Sequence, residues 1–154
     1  MRRIALFFSL LACDPVHSKE VSALPGEVPG VPHGPTHRPG QPCLLCHSGD
    51  FSVAGTVFAD PNSVTAANGV SVSLLDSQGS SFVATTNEAG NFFVRKDEWE
   101  PTYPMKVSIT SSNGVTTPMT ANVGRDGACA SCHVDPVGPS SPGHVYVSID
   151  GGTP

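Results

Sequence analysis

Charge is scarce in this chain. Asp, Glu, Lys and Arg are only 14% of its residues, and 8 Lys and Arg face 13 Asp and Glu, for a formal net charge of −5. No basic stripe exists, so nucleic-acid binding has no electrostatic support. An acidic surface suits partners that present basic patches. Aromatic residues are few as well, 6% of the chain with 1 Trp and 2 Tyr, which implies a modest core. Long apolar runs are missing. The longest, Ile4–Ala12, has nine residues, against the roughly 20 that a spanning helix needs. The 16 Gly and 15 Pro punctuate the chain so densely that long helices are excluded and turns are expected throughout. A length of 154 residues suits one domain with appendages.

Cysteine is scarce too, but it is not scattered. Four of the five cysteines lie in Cys43-Leu44-Leu45-Cys46-His47 and Cys129-Ala130-Ser131-Cys132-His133. Each stretch reads C-x-x-C-H, the attachment signature of a c-type haem. Two thiols one turn apart can bond to the two vinyl groups along one porphyrin edge. The next residue, a histidine, then lies under the ring and donates a nitrogen to iron. The pattern predicts two covalently attached c-type haems. Cys43, Cys46, Cys129 and Cys132 are the expected attachment residues, and His47 and His133 the expected proximal iron ligands. Zinc sites and redox dithiols also use C-x-x-C. A structural zinc site needs about four ligands, however, and each motif supplies three at most.

The basic start Met1-Arg2-Arg3 and the apolar run after it have the layout of an export signal over residues 1–12. The run ends in Leu10-Leu11-Ala12-Cys13, which resembles the lipobox of bacterial lipoproteins. That resemblance implies cleavage before Cys13 and lipidation of its thiol, hence attachment to the membrane through a lipid anchor. An ordinary signal peptide with an incidental cysteine is the plainer alternative. Residues 13–36 read as a Pro- and Gly-rich tether, because proline removes backbone donors and favours extended chain. On this basis neither helix nor sheet is expected before residue 42. Residues 37–50 form the first haem segment.

From Phe51 the pattern turns to β. Strands are expected at Phe51–Phe58, Val70–Leu75, Phe82–Thr86 and Asn91–Val94. A hairpin of Met105–Thr110 with Val115–Thr117 should turn at Ser112-Asn113-Gly114. Short β-branched runs at this spacing predict a mainly β fold, an antiparallel Ig-like sandwich, over residues 51–123. Gly55-Thr56-Val57, Gly69–Leu74, Asp76, Gly79, Thr86-Asn87, Gly90 and Phe92-Phe93-Val94 resemble the carboxypeptidase regulatory-like (transthyretin-like) β-sandwich. That resemblance implies a structural module with no catalytic residues. Residues 124–154 carry the second motif in Gly- and Pro-rich chain, which predicts a loop wrapped around a haem and a last strand at His144–Ile149.

The sixth iron positions are open. His37 lies six residues before Cys43, and six extended residues reach about 20 Å. His33 competes with it. His144, eleven residues after His133, is the candidate for the second haem, with a surface strand histidine as the plain alternative. Met105 and Met119 are the other soft donors, in β segments where methionine usually packs. Bis-histidine ligation resembles the low-potential haems of many multihaem cytochromes and leaves no vacant site, which implies electron transfer and not catalysis.

The expectation is a lipid-anchored dihaem cytochrome of the bacterial cell envelope, facing the periplasm or the cell surface. It would pass single electrons between redox protein partners, with the sandwich as scaffold and spacer between its haems. Two other classes compete. One is a structural or binding β-sandwich lipoprotein whose motifs hold zinc or act as dithiols. The other is a peroxidase or gas-binding haem protein, which requires a five-coordinate haem.

Overall fold

The computed structural model describes residues 15–27, 29–30 and 33–147. The expected leader, Cys13 and the end of the last expected strand lie outside the described residues. Two short helices, α1 (Pro15–Ala23) and α2 (Leu44–His47), precede seven strands. These are β1 (Phe51–Thr56), β2 (Ser71–Leu75), β3 (Ser81–Thr85), β4 (Asn91–Arg95), β5 (Lys106–Thr110), β6 (Thr116–Pro118) and β7 (Gly127–Ala128). They form two sheets, a three-stranded β4-β1-β7 and a four-stranded β3-β2-β5-β6. Every pairing is antiparallel except the short parallel one of β1 with β7. The expected mainly β, two-sheet sandwich is the observed fold.

Alternation builds the core. Val72 and Leu74 of β2, Val53 of β1 and Val94 of β4 are buried between the sheets, with Met105 and Trp99. Full burial of an aliphatic side chain of this kind contributes about 1.5–3 kcal/mol. The tight turns follow from their side chains. Asp76 Oδ1 accepts from the backbone N–H groups of Gln78 at 2.9 Å and Ser80 at 2.8 Å. Asn87 Oδ1 accepts from Ala89 N–H at 3.0 Å and Asn91 N–H at 3.1 Å. Both are Asx-type closures that free the chain to reverse.

Two expectations change. The expected tether contains a helix, α1, because Pro15 occupies its first position, where a missing N–H costs nothing, and no proline recurs before Pro25. The part of the segment from residue 33 onward is docked and not free. Asn87 Nδ2 donates to Pro35 O at 2.7 Å, Asn91 Nδ2 to His37 O at 3.0 Å, and Gly40 N–H to Thr56 Oγ1 at 2.8 Å. The second change is at the last expected strand. Its described residues make one parallel bridge, Tyr146 with Phe58, in place of a full ladder. Val145 and Val147 still pack on the core, and the His144 and Tyr146 rings lie edge to face beside each other.

Candidate functional site

The two C-x-x-C-H stretches, 86 residues apart, fold into the same turn. In the first, Cys43 O accepts from Cys46 N–H at 3.1 Å and His47 N–H at 3.0 Å. In the second, Cys129 O accepts from Cys132 N–H at 3.2 Å and His133 N–H at 3.0 Å. The leading thiols repeat as well: Cys43 Sγ lies 3.5 Å from Gln41 O and Cys129 Sγ lies 3.8 Å from Gly127 O. In both turns the first cysteine is half-buried, the second exposed and the histidine half-buried. All four cysteines are free thiols. One helical turn thus sets two thiols one turn apart and a histidine next to them, the arrangement that the spacing implies.

The turns sit on opposite faces of one sheet. Strand register puts Val53, Gly55, Phe92 and Val94 on the core face of β1 and β4, and Phe93, Thr56 and Asn91 on the outer face. Cys129 lies on the core face, over Gly55. A β-carbon on Gly55 would come 2.8 Å from Cys129 Cβ and 3.1 Å from its Sγ, so glycine is required there for close approach. The first turn lies on the outer face. His47 packs its ring 5.0 Å from Phe51, which stacks on Phe93 at 4.8 Å. The expected spacer, a whole sandwich, is therefore a single sheet. The Cys43 thiol is near enough to Cys129 for its charge to oppose ionisation there.

The surroundings of the turns differ. Cys129, Cys132 and His133 line an apolar cavity of about 950 Å³ that opens between the two sheets, at the upper end of small-molecule and cofactor pockets. Val57, Phe92 and Val145 come to it from the first sheet's side, and Val72, Ile109 and Met119 from the second's. His133 Nδ1 donates to Gly143 O at 3.0 Å. This bond fixes the ring and leaves Nε2 as the free donor atom, the usual way a ligating imidazole is oriented. Burial pushes the Cys129 thiol up to about 12 and raises that of Cys43, so neither is a ready thiolate in the folded chain. These residues fit a large planar apolar cofactor held by two thioethers and one imidazole.

At the first turn His37 stands beside His47, with ring centroids 5.9 Å apart and planes 70° apart. Two imidazoles sharing one metal at about 2 Å each have centroids roughly 6 Å apart. His37 Nδ1 donates to Gly34 O, which leaves its Nε2 free. His33 is 90% exposed and lies 3.9 Å from Glu27. His144 is engaged at both nitrogens: Nδ1 donates to Asp135 Oδ2 at 2.6 Å and Nε2 to Asp60 O at 3.0 Å. Burial lowers its pKa, but the bonds to Asp135 and Asp60 and the charges of both outweigh this, and the net shift is upward. Met105 is fully buried in the core, while Met119 is 37% exposed at the cavity.

Sequence reasoning missed Gly55, the His144–Asp135–Asp60 strut and the Phe51–Phe93 platform. Only Gly55 carried a signal, a glycine inside a strand. Among the described residues, no three of His, Cys, Asp and Glu converge closely enough to hold a bare metal ion. An iron that arrives inside a porphyrin needs only axial ligands from the chain. Among the described residues no helix is long and apolar enough to cross a membrane. No protein-family model matches the chain, and neither a curated protein nor a solved structure matches it.

Proposed function

We propose that this protein is a dihaem c-type cytochrome, lipid-anchored through Cys13 in the bacterial cell envelope, that passes single electrons between redox proteins. The observation that carries the reading is the repeated turn: two distant C-x-x-C-H stretches with the same backbone hydrogen bonds and the same burial pattern, each closing on a histidine N–H. Attachment adds each thiol across a vinyl group, sulfur to one carbon and hydrogen to the other, so no oxidant is consumed. The bound iron supplies a one-electron couple. The chain's own residues do the rest. His47 and His133 ligate, the apolar cavity excludes water from the second ring, and the outer face of β1 and β4 presents the first ring toward partners.

The alternative is a β-sandwich lipoprotein whose motifs hold zinc or act as dithiols. A structural zinc site needs about four ligands and each motif supplies three at most, which weighs against zinc. The burial of Cys43 and Cys129, which raises both thiols, weighs against fast dithiol exchange.

The test is maturation of the full chain in a host competent for c-type haem, followed by haem staining after denaturation. Two covalent haems are expected. Cys43→Ala with Cys46→Ala should remove one and spare the other, and Cys129→Ala with Cys132→Ala should do the converse. Wild-type chain that emerges without covalent haem overturns the proposal. Mass spectrometry of the mature N-terminus checks lipidation of Cys13.

A further inference from the structure

Axial ligands must approach a planar group from opposite faces. The sheets of such a sandwich stack about 10 Å apart, so a ring tethered by Cys129 and Cys132 in the cavity between them would turn one face toward each sheet. His133 follows β7 and belongs to the first sheet's side. Its partner should come from the second sheet.

Of the side-chain types that usually ligate haem iron, three besides His133 and its two cysteines line the cavity: His144, Tyr146 and Met119. Tyr146 bridges to Phe58 beyond the end of β1, so it lies on the first sheet's side with His133. His144 stands next to it and packs on the Phe58 ring at 4.7 Å. Both partners of His144 are oxygen acceptors, a carboxylate and a carbonyl, so both ring nitrogens must carry protons and neither has a lone pair for iron. To ligate, it would have to lose a proton, abandon Asp60 O and leave Phe58. Met119 has none of these ties. Its backbone N–H donates to Val107 O at 2.9 Å, which pins it to β5 of the second sheet just past the end of β6, and the residue lines the cavity. The other thioether of the sandwich, Met105, is fully buried in the core.

The geometry points to Met119 as the second axial ligand of the haem at Cys129 and Cys132, opposite His133. The inference rests on the haem reading given above. It replaces His144 as the sixth ligand and gives that residue a different role, the strut that ties the loop after His133 to the turn at Asp60. It also makes the two haems unlike. Histidine–methionine ligation and burial both raise a reduction potential, whereas the first haem, beside His37 and His47 on the outer face, has two imidazoles within reach.

The test uses full-length protein matured with haem, both as wild type and with Cys43→Ala and Cys46→Ala, so that the second haem can be read alone. Covalent haem is counted after denaturation. Ligation is read from the far-red charge-transfer band of ferric haem bound by a thioether, and the midpoint from a spectroelectrochemical titration. The expected result is a thioether band that survives in His144→Gln. Met119→Leu should lose the band, keep its covalent haem, bind carbon monoxide when reduced and show a lower midpoint. Met119 is partly exposed, so this change leaves the core intact. Covalent haem without the band in wild type, or a band that persists in Met119→Leu, overturns the assignment of Met119. Absence of covalent haem from wild type overturns the haem reading beneath it.

Discussion

At the scale of single residues, the most consequential positions are small or polar. Gly55 leaves room for Cys129 on the core face of β1, and any β-carbon there meets the cysteine and Phe92. Gly55→Ala should therefore cost about 1–3 kcal/mol through overpacking. It should also lower haem attachment at Cys129 and Cys132 while sparing Cys43 and Cys46. Thermal denaturation and haem counting check both effects, and equal losses at the two motifs would contradict the placement of Cys129. Asp76 works in the turn after β2. The Thr102 N–H bond lowers its pKa against the opposing effect of burial, and the Ser80, Gln78 and Gly79 N–H groups lower it further. A carboxyl held below its unfolded value of about 3.9 adds stability above that value and loses it as pH falls through the folded one. The melting temperature of the native protein should thus fall more steeply from about pH 5 to pH 2 than that of Asp76→Asn. Parallel acid limbs would count against the role given to these bonds.

At the scale of elements, the segment before the first motif is held by polar side chains of β4 and the turn before it, not by apolar burial. Asn91 is the centre of this contact. It is buried, accepts from Thr56 Oγ1 at 2.7 Å, and donates to Pro35 O at 3.3 Å and His37 O at 3.0 Å. Asn91→Ala should cost about 1–3 kcal/mol by leaving these partners unsatisfied. It should also loosen His37 from its place beside His47. The expected signature is a high-spin, carbon monoxide-binding fraction at the first haem with covalent haem content unchanged. A variant with an unaltered spectrum would show that His37 is not held through Asn91.

At the scale of the whole molecule, the surroundings of the two C-x-x-C-H turns are unequal. One turn lies on the outer face of a sheet and the other lines the cavity between two sheets. If a haem at Cys129 and Cys132 fills this cavity, as proposed, losing it should leave a large void, and voids are destabilising in proportion to their size. Calorimetry of the two double-cysteine variants should show a clearly larger fall in melting temperature for Cys129→Ala with Cys132→Ala than for Cys43→Ala with Cys46→Ala. Equal shifts would mean that the cavity is not the seat of the second haem. On the dihaem reading, the single sheet between the two turns would give electrons a short route from an exposed port to a buried centre.

The sequence by itself determined what depends on local pattern. The strands from Phe51 to Pro118 were legible because alternation and Asx or Gly turns act over a few residues. The two C-x-x-C-H turns were legible because one helical turn needs no distant partner. What only the tertiary structure decided depends on neighbours far along the chain. That α1 forms after Pro15, and that residues 33–42 dock on Asn87 and Asn91, follows from capping and side-chain partners that no period encodes. That the motifs flank one sheet follows from the strand order β4-β1-β7, which sets Gly127 and Cys129 beside β1. His144 illustrates the limit most directly. Its spacing after His133 suggested a ligand, but Asp60, 84 residues away, and Asp135 take both of its nitrogens, because hydrogen-bond partners are assigned by proximity in space.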